Sequence, residues 1–200
     1  MGNVQLSKPI IIEAGMTLLN QFGLGDVTMR RIAKHLNVAP GALYWHFANK
    51  QALVAAMADT IIAPVLAAHD SPSTQDDWQE QTAAFARDFR AALLAHRDGA
   101  ELTSAAFSVP RIRNSVERAA INSLAGNKEL APETAWVAAS TLVHFTIGAA
   151  LNQQTLANVE AAGIAIPGDA AIPRPEIGHD RGFDEGLALI IAGVAARSVH

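Results

Sequence analysis

From Ser7 almost to the last residue, apolar side chains recur at three- and four-residue spacing, and no useful run alternates with the two-residue period of a strand. That periodicity confines the 200 residues to an all-α fold. The 40 alanines suit close-packed helices, and a chain that is 50% hydrophobic can offset the entropy of ordering. The absence of cysteine excludes disulfides, thiolate metal sites and a cysteine nucleophile.

Local signals divide the periodicity into elements. Ser7 and Pro9 open a first helix whose Ile11, Gly15, Leu18, Leu19 and Phe22 share a face, and Gly23 ends it. Thr28 starts a short second helix carrying Ile32, Ala33 and Leu36. Asn37 suits its left-handed end. Ala39-Pro40-Gly41 leads a third helix through Leu43, Tyr44, His46 and Phe47. A fourth is expected from Lys50 towards His69, bent or broken at Pro64. Asp70 to Gln75 reads as a loop, and Asp76, Asp77 and Glu80 as acids favoured by the dipole at a helix start. That helix should reach Arg97 and stop near Gly99. Shorter helices are expected over 99–107 and 110–125, and a charge-free one from Pro132 to about Asn158. Residues 159–182 have no clear period and read as a mobile or irregular loop before a final helix, Phe183 to Arg197.

The charge of −4 is unevenly spread. Residues 1–50 carry five Lys/Arg against two acids, or +3, and residues 51–200 carry ten against seventeen, or −7. A basic module on an acidic body is a nucleic-acid signal, and the spacing of the second and third helices is that of a helix-turn-helix. Arg30 and Arg31 open the helix that crosses a DNA backbone. The tight start at Pro40 and Gly41 lets the third helix approach base edges. Tyr44 and His46 are placed for phosphate or base contact, and Lys50 for phosphate at the next helix start. The expected division is therefore a DNA-binding domain over 1–50 and a larger helical domain over 51–200.

The run Val27 to Val38, followed by Gly41 to Lys50 with Leu43-Tyr44-Trp45-His46 and Asn49-Lys50, resembles the DNA-binding domain of TetR-family transcriptional regulators. Phe89 to Ala100 and His144-Phe145-Thr146-Ile147-Gly148 extend the resemblance to the tetracycline-repressor branch. The resemblance implies a cytoplasmic homodimer that binds a palindromic operator and releases it when a small molecule enters the larger domain. By matching positions, Arg30, Pro40 and Gly41 would face bases, while Thr28, Tyr44, His46 and Lys50 would mainly hold phosphate.

The effector positions depart from that branch. Its magnesium–drug chelate uses a histidine where this chain has Thr103 and a partner glutamate where it has Asn152. A drug-gripping asparagine is replaced by Phe85, and a Thr-Arg-Pro segment by Ala106-Phe107-Ser108. Loss of these ligands argues against magnesium–tetracycline and implies no metal cofactor. Phe85, Phe89, Thr103, Phe107, Trp136 and His144 instead suit a mostly apolar cavity with a few polar groups. Core packing is the plainer reading of any one of these aromatics, but as a set they match the branch's pocket.

Other readings have less behind them. His96-Arg97-Asp98 imitates a kinase triplet without its asparagine, and no two of the seven histidines stand four apart for helix-borne zinc. An enzyme would need a nucleophile, metal cluster or acid pair that the sequence does not supply, and a helical small-molecule binder without a DNA role is the alternative that a gel shift separates. The 26 charge-free residues Thr134 to Val159 are long enough to span a bilayer, yet ten of them are polar. Pairing this helix and the last one across a two-fold axis as a four-helix interface is the favoured alternative.

Overall fold

In the computed structural model, residues 6–72, 78–163 and 177–197 are described. They form nine α-helices and one 3-10 turn, with no strand among the described residues. The chain divides into two compact units, Met1–Ala68 with Ala91–Val116, and His69–Arg90 with Glu117–His200.

The first unit begins with α1 (Lys8–Phe22), entered from an extended Ser7 and carrying Pro9 in its first turn. Gly23, at φ +86°, ends it in a conformation that a side chain would strain. A 3-10 turn (Leu24–Asp26) follows. Thr28 then caps α2 (Met29–His35), its hydroxyl accepting the Arg31 N–H at 3.2 Å. Asn37, at φ +54°, reverses the chain into α3 (Pro40–Tyr44). Helix α3 is shorter than the sequence suggests. The N–H groups of His46 and Phe47 both converge on the Leu43 carbonyl, turning Phe47 into the core instead of extending the helix.

Asn49 caps α4 (Lys50–Ala68) by accepting the Ala52 N–H at 2.9 Å. Contrary to expectation, α4 continues through Pro64. Both Pro64 and Thr60, whose carbonyl loses its helical donor, face solvent, while Ile61, Ile62 and Val65 hold the buried side. Helix α6 (Gly99–Ala106) packs along α4. The helix before it, α5 (Trp78–Leu94), ends three residues short of the expected Arg97 because the next residues bind the end of α1. Arg97 donates to the Gln21 carbonyl at 3.2 Å, and Asp98 accepts the Leu24 N–H at 2.9 Å. Near the start of α7 (Pro110–Leu124), Arg111 forms a two-pronged ion pair with Asp59 of α4. Hydrogen bonding to Asp59 raises the guanidinium pKa, burial opposes this, and the nearby charge adds to it.

In the second unit, α5 contributes buried Trp78, Phe85 and Phe89. His69 meets the Phe85 ring edge-on at 5.4 Å, and Asn122 of α7 ties down the chain after α4 by donating to the His69 and Asp70 carbonyls. Helix α8 (Pro132–Ala161) packs on α9 (His179–Arg197), with Phe145 and Phe183 stacked at 5.3 Å. Both helices intrude on the loop expected over 159–182, as α8 runs to Ala161 and α9 starts four residues before Phe183. Residues 164–176 of that loop, and Asp76 and Asp77, lie outside the described residues. Glu80 stands in the first turn of α5, as expected. By length and composition α4 and α8 could each cross a membrane, but both pack against other helices, α4 on α6 and α8 on α9.

Candidate DNA interface and effector residues

The DNA-reading candidates lie on three adjoining elements of the first unit. Leu43 is fully buried and Phe47 nearly so, which anchors α3 and leaves its other face outward. Pro40 and Gly41 are exposed at its start, Tyr44 is 53% exposed at its end, and His46 is half-buried just beyond. Thr28 and Arg30 are exposed at the start of α2, and Lys50 is the exposed first residue of α4. All seven residues therefore belong to one unit, and six are exposed.

Three further residues, Trp45, Lys34 and His35, are exposed beside these candidates. Trp45 is 91% exposed between Tyr44 and His46. A tryptophan so little buried beside polar neighbours suits a flat contact with sugar or base. Its position inside the Leu43-Tyr44-Trp45-His46 run was the available signal. Lys34 and His35, four and five residues beyond Arg30 on α2, line a surface depression with Thr28 and Arg30.

The two arginines of α2 differ. Arg30 is exposed and makes no ion pair among the described residues. Arg31 is paired with Asp26 at 2.5 Å and stacked over the Phe22 ring at 4.2 Å.

The effector candidates fall into three groups. Phe85 and Phe89 are fully buried in the second unit, their rings stacked 5.9 Å apart. Thr103 belongs to α6 of the first unit. It is fully buried, and its hydroxyl has no hydrogen-bond partner among the described residues. Phe107 is half-buried at the end of that helix. Trp136, His144 and Asn152 are exposed on α8, whose inner face is filled by Ala139, Leu142, Val143, Thr146 and Ile147. The His144 ring donates from Nδ1 to the Ser140 carbonyl at 2.7 Å, which leaves Nε2 as the free acceptor when the ring is neutral. No cluster of three or more His, Cys, Asp or Glu residues suited to a metal occurs among the described residues.

A helix-turn-helix with an exposed, polar edge, in a chain with no strand among the described residues, defines the class of helical DNA-binding proteins. The model of bacterial regulatory proteins of the tetR family matches residues 11–57, and the tetracyclin repressor-like C-terminal domain matches residues 71–165. The chain is 35% identical to the class A tetracycline repressor of transposon 1721 from Escherichia coli, over 96% of this chain and 92% of the relative. The structure of BioQ with its natural double-stranded DNA operator aligns at TM-score 0.74 and 34% identity, covering 96% and 99% of the two chains. Streptomyces coelicolor ActR, solved with actinorhodin, aligns at TM-score 0.78 and 27% identity over 98% and 100%. The chain belongs to the TetR family of transcriptional regulators.

Proposed function

We propose that this regulator is a cytoplasmic repressor that holds a palindromic operator as a homodimer and releases it on binding a small, largely apolar or aromatic effector. Residues 1–50 serve as the reader, and residues 51–200 as the effector-binding and dimerisation region. Arg30, Pro40 and Gly41 face bases, and Thr28, Tyr44, His46 and Lys50 hold backbone phosphate. The observation that carries this reading is the edge of α3, where Tyr44 and Trp45 project beyond a fully buried Leu43. The operator complex of the similar BioQ supports the DNA role. The actinorhodin complex of the similar ActR supports an aromatic ligand.

The effector region contributes Phe85, Phe89, Thr103 and Phe107, with Trp136, His144 and Asn152 on α8. The preponderance of aromatic side chains in this set favours a ligand with few polar groups, held without a metal. Magnesium–tetracycline is accordingly not the effector, and no catalytic step belongs to the protein.

A footprint on DNA flanking the protein's own gene, at low salt, tests the reading, and a clean absence of protection overturns it. Lys50→Ala should weaken binding to every duplex and flatten the salt dependence by about one unit of slope. An unchanged slope removes Lys50 from the phosphate contacts.

A further inference from the structure

In sequence, Arg30 and Arg31 are equivalent cations at the start of a DNA-crossing helix, but the structure commits Arg31 elsewhere. Its Nη1 donates to Asp26 Oδ1 at 2.5 Å, and the guanidinium plane lies over the Phe22 ring, 4.2 Å from its centre. Its backbone N–H is taken by the Thr28 cap. The three side chains come from three successive elements. Phe22 is the last residue of α1, Asp26 the last of the 3-10 turn, and Arg31 lies in the first turn of α2. The contact also explains why Phe22 stands 45% exposed at a helix end, since its outer face is a platform for the guanidinium.

Building on the DNA-binding reading above, we infer that Phe22, Asp26 and Arg31 form a positioning clamp that fixes the entry of α2 and withdraws Arg31 from the electrostatics of DNA binding. Asp26 is one of only two acids in residues 1–50. Bare, it would repel phosphate beside Thr28 and Arg30. Paired with Arg31, it presents no net charge. The clamp therefore acts on specificity. It holds α2 in register and keeps one cation from adding to sequence-independent attraction, which grows with every phosphate neutralised. Lysine could not substitute fully, because the guanidinium donates to Asp26 through Nη1 while it also lies over the Phe22 ring.

The experiment measures the salt dependence of binding to the footprinted operator and to an unrelated duplex of equal length. Lys50→Ala is the reference for a lost phosphate contact, with a slope flatter by about one unit. Asp26→Asn should free Arg31, steepen the slope by about one unit and tighten binding to the unrelated duplex more than to the operator. The double variant Asp26→Asn/Arg31→Gln removes both charges at once. It should weaken operator binding while leaving the slope within a few tenths of the unmodified protein's. Asp26→Asn is isosteric and Arg31→Gln shortens the side chain, and thermal melts of both variants confirm that the reader is folded. The clamp is overturned if Asp26→Asn leaves the slope unchanged, or if the double variant flattens it as much as Lys50→Ala. Failure of the unmodified protein to bind either duplex in a salt-dependent way instead overturns the DNA-binding reading itself.

Discussion

Burial and partners separate residues that the sequence treats alike. His96 illustrates the consequence for pH. It sits in the turn between α5 and α6, its Nδ1 3.4 Å from Asn20 Oδ1, and partial burial holds its pKa below the ordinary histidine value. Because burial disfavours the charged ring, the unfolded chain takes up its proton at higher pH than the folded chain does. Folding stability therefore rises with pH between the lowered folded pKa and the unfolded value near 6.5. The stabilisation is complete above that range and is lost as pH falls through the folded pKa. His96→Asn should flatten the fall in melting temperature across this acid window and leave stability above pH 7 little changed. An unaltered pH profile would mean that other groups carry the acid response. The sequence placed the seven DNA-reading candidates on neighbouring, mostly exposed turns and helix ends, because helix caps and turn residues are local signals. It could not show that Arg31 is spoken for or that the Thr103 hydroxyl is fully buried without a partner among the described residues, since each fact depends on how side chains pack in three dimensions.

At the scale of elements, most boundaries followed from capping and periodicity, and the exceptions trace to tertiary contacts. Helix α4 runs through Pro64 because the break falls on its wet side, and α3 stops early because Phe47 turns inward. Two glycines mark approaches that periodicity does not reveal. A Cβ added at Gly186 of α9 would lie 2.6 Å from the Phe145 ring of α8, and that ring is itself stacked on Phe183. A Cβ at Gly15 of α1 would lie 2.8 Å from the Met57 sulfur of α4. A thioether on three rotatable bonds can move aside, whereas a stacked ring cannot. Gly186→Ala should therefore cost about 1–3 kcal/mol in overpacking, offset in part by about 1 kcal/mol of helix propensity. Its melting temperature should fall. Gly15→Ala should be nearer neutral, because the same gain in propensity meets a yielding neighbour. A thermal melt in which the two variants lose equal stability would show that the Phe145 ring is freer than its stacking implies.

For the whole molecule, the split of charge between +3 in residues 1–50 and −7 in the rest gives the reader its attraction to phosphate and leaves the remainder acidic. The apolar helices that raised the question of a membrane are better explained by self-association. Helices α8 and α9 bury one another only in part, leaving Trp136 and Val137 each 55% exposed and Leu189 75% exposed. Between them lies a groove of about 430 Å³ lined by Val137, Ala138, Thr141, Leu189, Ile190 and Val194, with Glu133 and Arg197 at its edge. Exposed apolar surface of this kind marks an association face. A two-fold axis through it would unite four helices from two copies. The proposed operator reading requires that arrangement, because two recognition helices must meet major grooves about 34–36 Å apart. Leu189→Asp places a charge on the most exposed of these apolar side chains without disturbing a buried one. Light scattering at micromolar concentration should find the unmodified protein dimeric and the variant monomeric. Operator affinity should fall much more than affinity for a single half-site, which one reader contacts alone. A variant that stays dimeric and keeps its operator affinity would move the dimer seam away from the groove between α8 and α9.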